Sequence, residues 1–246
     1  MISDVIDGLF SHIRVLGVLG RHGLMKYFIL SGIGGLLIGA LLIWGIFIYY
    51  DDIGAFLSGI WPWESGSAIF DVIADSFSVL MMLLIVFLIY KYLIFILLAP
   101  IMSLVSQRIE RIERGHVASS GINVVGEIIR GLKLAIRNIF KEVLFTIILL
   151  IISVVLPWLA WLTGIMIFVI QAYYAGFGNM DYTLERYYST TRSIEFVSRN
   201  RGFAVGNGII FLLLLTIPVL GMFIAPFFGA AGATLGTLDR LEGDYL

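Results

Sequence analysis

The chain has no cysteine and only three histidines among its 246 residues. The first absence excludes disulfides, a thiolate nucleophile and cysteine-based metal sites, and the histidines (His12, His22, His116) lack the spacing of metal ligands. Charged residues make up 13%, against roughly 25% in soluble domains, while 60% of the residues are hydrophobic. Hydrolase, metalloprotease and phosphate-loop motifs are also missing. We therefore expect an integral membrane protein that is not an enzyme, with no cofactor and no bound metal.

Two long apolar runs predict transmembrane helices. Residues 27–50 carry no charge and residues 77–100 carry only Lys91; at about 1.5 Å per residue, each makes a helix of about 36 Å, enough for a hydrocarbon core of about 30 Å. The loop 51–76 has five acidic and no basic residues, whereas 101–142 has seven basic residues. Because basic residues favour the cytoplasmic side, we expect the loop outside and both chain termini in the cytoplasm.

Residues 143–177 and 203–238 predict an internal repeat of two apolar hairpins, one turning at Pro157 and the other at Pro218. Both corners lack charge, and the flanks of each hairpin are polar. The apolar run before Pro157 gives only about 21 Å of helix, so we expect each hairpin to enter the bilayer partway and return. Two pairs of short spanning helices are the alternative.

Two amphipathic stretches predict helices at the membrane surface. Residues 1–20 and 122–143 both repeat apolar side chains at helical spacing. The second carries Arg130, Lys133 and Arg137 on its other face. This basic face either binds anionic lipid or forms a vestibule that concentrates anions near a pore.

Lys91 lies inside the second apolar run, about 13 Å of helix from its cytoplasmic end. An ionisable side chain at such depth is a candidate for a solute pathway. The alternative is a lysine that reaches toward the interface, packs on Tyr90 or Tyr92, or pairs with an acid of another helix.

The turn RHGLMKYF, residues 21–28, opens the first span. A helix N-terminus offers unpaired N–H groups and the positive end of the helix dipole, which suit an oxyanion. We predict an anion site from the residues of this turn, which are Arg21, Gly23, Leu24, Met25 and Lys26. The alternative is that its basic residues only follow the topology rule.

Four stretches in order resemble the CysZ sulfate permeases, within the wider etoposide-induced-protein membrane family: RHGLMKYFIL, LLAPIMSLVSQRIERIERG, IQAYYAGFGNMDYTLER and TIPVLGMFIAPFFGAAGAT. The resemblance implies a homo-oligomeric protein of the bacterial inner membrane that passes sulfate toward cysteine synthesis. It also implies two long spanning helices and two hemi-penetrating hairpins. In that family the turn before the first span reads roughly P-G-[IL]-R, often with a second arginine, and is associated with sulfate. Here His22 replaces the proline, Met25 the first arginine and Lys26 the second.

The polar stretch 178–202 contains the DY pair of the resembling family, Asp181 and Tyr182. We expect Asp181 to brace a neighbouring basic side chain, and Thr190 or Thr191 to cap a short helix ending near Arg201. The stretch then serves as a structural link between the hairpins rather than as a binding site.

The sequence predicts an all-α integral membrane protein of a single domain that binds sulfate or a related oxyanion and membrane lipid, and no nucleic acid. A non-transporting, membrane-structural or assembly protein of the same family is the competing function. The predicted segments are 1–26 (surface helix and turn), 27–50 (first span), 51–76 (external loop), 77–100 (second span), 101–142 (cytoplasmic basic helices), 143–177 (first hairpin), 178–202 (polar link), 203–238 (second hairpin) and 239–246 (cytoplasmic tail).

Overall fold

The computed structural model describes residues 2–20, 23–48, 85–118 and 124–244, and all regular structure in these ranges is helical. The predicted external loop and the first part of the predicted second span lie outside them, as do Arg21 and His22. The helices are α1 (Ile2–Leu19), α2 (Leu24–Ile48), α3 (Ile85–Leu97), α4 (Ala99–Arg114), α5 (Val124–Val155), α6 (Ala160–Leu184), α7 (Thr190–Arg199), α8 (Arg201–Leu215) and α9 (Leu220–Asp244).

Four of the described helical stretches are long and apolar enough to cross a membrane, which confirms the all-α membrane class. They are Leu24–Ile48, Ile129–Val155, Pro157–Leu184 and Leu220–Glu242. α3 and α4 would form a fifth span if the bent pair crosses as one.

α3 and α4 meet at an angle of 61°. Pro100 lies in the first turn of α4, where a missing N–H costs no hydrogen bond within the helix. The same proline prevents α3 from continuing in a straight line. A break of this kind frees backbone carbonyls, and the Tyr182 hydroxyl donates to the carbonyl of Phe95 at 3.2 Å. Tyr182 of α6 therefore stabilises the bend.

The first hairpin is longer than its apolar sequence suggests. The basic stretch and the apolar run before Pro157 form one helix, α5, of 32 residues. After the short 3-10 turn Pro157–Leu159, α6 continues past the apolar run to Leu184 and so includes Asp181. Helix length therefore does not limit how far this hairpin reaches, and partial penetration stays a prediction.

The second hairpin joins α8 to α9 through a turn at Pro218, after which Val219 takes a positive φ of 61°. α9 lies at the centre of the described helices: 72% of its apolar window is buried, against 28% for α2. It packs against α1, α2, α4, α6 and α8. The core is thus built around the second hairpin.

α6 and α8 cross through small residues. A Cβ atom on Gly176 would overlap the backbone oxygen of Ala204, and one on Gly208 would overlap that of Ala172. The two helices thus use the same Ala-x-x-x-Gly spacing against each other, and such small-residue faces let membrane helices approach closely. This reciprocal contact joins the two hairpins.

α1 packs its small-residue side against the second hairpin, with Gly8, Ser11 and Val15 buried. Its large apolar side chains, among them Phe10 and Leu16, face outward. α1 is therefore an integral part of the helical core that also presents an apolar surface.

Candidate functional site

The turn before α2 has the backbone that its glycine predicts. Gly23 lies in the left-handed region with a φ of 74°, and α2 begins at the buried Leu24. Met25 and Lys26 are exposed, and the Lys26 ammonium lies 4.9 Å from the centroid of the Tyr27 ring. The first N–H groups of a helix have no acceptor within it. The described part of the turn therefore places the free N–H groups at the start of α2 near one cation, Lys26. Anion binding at this turn stays a prediction.

Lys91 is fully buried and forms an ion pair with Glu142, which is also fully buried; both side chains have 0% exposure. The ammonium donates to Oε1 of Glu142, while the Tyr92 hydroxyl donates to Oε2 at 2.6 Å. The lysine also lies over the Tyr92 ring, 4.8 Å from its centroid. The predicted pathway lysine is thus held by an acid of α5 that sequence reasoning did not select. Its place at the end of the basic stretch, next to Lys141, gave no sign of a partner on α3.

Arg130 forms a buried ion pair with Asp181. Its two terminal nitrogens donate to the two carboxylate oxygens, each at 2.9 Å, and one also donates to Ser193 at 2.7 Å. Such two-pronged pairing fixes both side chains in one geometry. It joins α5, α6 and α7, and is the kind of contact expected of Asp181; its effect on folding stays a prediction.

The three basic residues predicted for α5 do not converge on one surface. Arg130 is buried, Lys133 is exposed, and the half-buried Arg137 donates to the Asn138 amide oxygen at 2.9 Å. Arg130 is therefore not part of an open basic face. Lys133 and Arg137 remain as candidates for contact with lipid or an anion.

A third buried pair, between Glu110 of α4 and Arg186, was not anticipated. Arg186 donates to Glu110 at 2.9 Å through Nε and to Ser106 at 2.7 Å. Tyr187 donates to the other carboxylate oxygen at 2.6 Å, and its burial, reinforced by that hydrogen bond, raises the pKa of Tyr187 to about 12. Glu110 on the helix face of Val105 and Ile109 was the available signal, because a carboxylate on an apolar face needs a cationic partner.

A cavity of about 310 Å³ lies beside the α3–α4 bend, between α5 and α6. Most of its lining is apolar or aromatic. Its polar lining side chains are Tyr92, Ser103, Asn138, Tyr174, Asp181, Tyr182 and Glu185. The cavity touches both ion-paired systems of α5, since Tyr92 belongs to the Lys91 group and Asp181 to the Arg130 group.

The two corner prolines lie in the turns of the two hairpins. Pro157 opens the 3-10 turn between α5 and α6, and the carbonyl of Pro218 accepts from the N–H of Leu220 at 2.6 Å. Both lie outside helix interiors, where a proline would remove a backbone hydrogen bond.

A family profile described as sulfate transporter CysZ/etoposide-induced protein 2.4 matches residues 11–226. The match begins within α1 and ends within α9, so it includes the first hairpin, the second hairpin as far as residue 226, all three buried ion pairs described above and the turn before α2. A search of curated proteins finds no significant match.

Proposed function

The chain belongs to the sulfate transporter CysZ/etoposide-induced protein 2.4 family, and we propose that it passes sulfate or a related oxyanion through the bacterial inner membrane. The family match over most of the chain carries this proposal. Supply of sulfate for cysteine synthesis and assembly into a homo-oligomer belong to the same proposal, as does placement of both termini in the cytoplasm.

The turn before α2 is the proposed site of first contact with the anion. The N–H groups of Leu24 and Met25 lie at the start of α2, next to the left-handed Gly23. They would bind oxyanion oxygens, assisted by the helix dipole, Lys26 and Arg21. A lysine supplies a point charge in place of a planar guanidinium, so we expect looser discrimination among tetrahedral anions here than at an arginine pair.

The test is uptake of labelled sulfate by liposomes that contain the purified protein. We expect flux above that of empty liposomes, and a loss of about tenfold or more in sulfate affinity with Lys26→Ala, because a hydrogen bond to a charged group contributes about 1.5–3 kcal/mol. Arg199→Ala is the matched control, since it removes an exposed cation of α7 whose ion pair to Glu195 is 3.4 Å long. Flux no greater than in empty liposomes would refute the proposal.

One observation favours the competing function, a membrane-structural or assembly role without transport. Within the described residues, the buried cations Lys91, Arg130 and Arg186 each pair with a carboxylate. Paired charges of this kind also serve to fix helices in place. Deletion of the gene separates the two functions: a growth defect confined to sulfate as the sulfur source contradicts the structural role.

A further inference from the structure

The Glu142 carboxylate occupies a donor set that would suit a free oxyanion. One of its oxygens accepts from the Lys91 ammonium and the other from the Tyr92 hydroxyl. Two oxygens of a tetrahedral oxyanion present the same kind of acceptors, and an ammonium is the stronger sort of donor because it carries charge. The bound carboxylate therefore resembles a ligand that is tethered to α5.

The pair is not explained well by stability alone. Both charged side chains are fully buried, and two apolar residues of similar size often stabilise a protein as well as a buried ion pair does. An ionisable group at membrane depth is also by default a candidate for transport. A role that needs both charges accounts for their burial better than packing does.

Of this group only Tyr92 borders the cavity beside the α3–α4 bend, since Lys91 and Glu142 are fully buried and do not line it. Tyr92 lines that cavity together with Asn138 and Tyr174. Its volume of about 310 Å³ corresponds to about ten waters at roughly 30 Å³ each, which leaves room for a small hydrated anion. Tyr92 and Ile96 also line a groove between α3 and α5 whose remaining lining is aliphatic except for Thr146, so it offers an anion little. An anion would therefore approach from the cavity.

The carboxylates of the cavity lie away from Tyr174. Tyr174 lines the cavity from α6, and Glu185 lines it from the turn that follows α6. At about 1.5 Å per residue, the two are about 16 Å apart along the helix direction. Asp181 accepts from Arg130 through both oxygens, and Glu185 accepts from Ser103 at 2.6 Å. These contacts compensate the charge of Asp181 and engage an oxygen of Glu185. The end beside Tyr92 and Asn138 is thus the part of the cavity most favourable to an anion.

We propose that Lys91 and Tyr92 form an oxyanion site within the solute passage, and that Glu142 is a tethered anion which occupies this site until the solute displaces it. This inference rests on the proposed function and adds the place where the solute meets a buried cation. It makes Glu142 a competitor of the solute, so removal of its charge should strengthen binding rather than weaken it.

Direct measurement of sulfate binding to the purified protein tests the competition. We use Lys26→Ala as the background for every variant, so that the turn before α2 does not contribute. In that background, Glu142→Gln should bind sulfate at least about tenfold more tightly than the protein that keeps Glu142. Adding Lys91→Met to Glu142→Gln should abolish the gain, and adding Tyr92→Phe should reduce it. Equal sulfate affinities with and without the Glu142→Gln change would overturn the inference.

A second variant covers the case in which Glu142→Gln does not fold. Lys91→Met with Glu142→Leu removes both charges at similar volume, which the membrane core tolerates. Sulfate flux should then fall to a small fraction of the unaltered rate, whereas a purely structural ion pair predicts unchanged flux. If the unaltered protein shows no flux at all, the proposed function fails and with it the solute passage, and the binding gain of Glu142→Gln then decides only whether Lys91 and Tyr92 form an oxyanion site.

Discussion

The crossing of α1 over α8 gives the sharpest stability prediction. A Cβ atom on Gly8 would lie 2.5 Å from the backbone oxygen of Phe203, 2.7 Å from the nitrogen of Asn207 and 2.9 Å from the Cα of Gly206. All three atoms are backbone, so none of them moves without the helix. Gly8→Ala must therefore push α1 away from α8 by about 1 Å to restore ordinary contact, and such overpacking costs about 1–3 kcal/mol.

Gly17→Ala on the same helix is the matched control, because a Cβ there meets nothing within 4 Å. Both changes raise helix propensity by up to about 1 kcal/mol, so that contribution cancels between them. Taking about 2 kcal/mol for the clash, we expect the melting midpoint of Gly8→Ala in detergent to lie about 4–8 °C below that of Gly17→Ala. Equal midpoints would refute the close crossing of α1 and α8.

Two further predictions concern charge. Asp181→Asn breaks a buried ion pair and should lower the free energy of unfolding by about 3 kcal/mol. Asp239→Asn is the control: its pair with Arg14 is about half-exposed, so the loss should be less than about 1 kcal/mol. Denaturant unfolding of both variants measures the difference. Equal losses would contradict a special role for Asp181. Burial lowers the pKa of His12 from 6.5 to about 4, so the folded state resists protonation that the unfolded state accepts. The free energy of unfolding is therefore unaffected by His12 above pH 6.5 and falls on acidification, by about 2 kcal/mol at pH 5. His12→Gln should remove this loss. A loss that persists in the variant would show that other groups cause it.

The membrane class and most helices follow from the sequence because they depend on hydropathy and on a few helix breakers. The long charge-free run gave α2, and the helix predicted near Thr190 exists as α7 (Thr190–Arg199), although Ser189 takes the N-cap position. The proline corners at 157 and 218 were readable for the same reason. Local chemistry decides each of these features.

The bounds of the first hairpin were not readable from hydropathy. The basic stretch after residue 122 was interpreted as a separate surface helix, but it continues into the apolar run as α5. No glycine pair, proline or polar cluster interrupts the sequence at 142–143, so helix propensity runs through the change in polarity. Apolar length alone therefore underestimates a helix whose basic end packs against protein.

The sequence also did not reveal which acidic residue pairs with each buried cation. Lys91 stood out because it interrupts an apolar run, yet Glu142 lies 51 positions away, next to Lys141 at the end of the basic stretch. Arg130 looked like part of an exposed basic face, since Lys133 and Arg137 share its periodicity. The position of Asp181 on α6 determines which of these cations is buried. That position relative to α5 depends on how the two helices pack.

The three buried pairs place a condition on any anion pathway through these helices. Lys91–Glu142 ties α3 to α5, Arg130–Asp181 ties α5 to α6, and Arg186–Glu110 ties the end of α6 to α4. Each pair is neutral as a unit, so none attracts an anion over distance as a lone cation would. An anion gains from such a cation only by taking the place of its carboxylate. Of the three, only the Lys91 pair shares its acceptor with a tyrosine that lines the cavity, and this is why exchange at Glu142 is the most informative step to test.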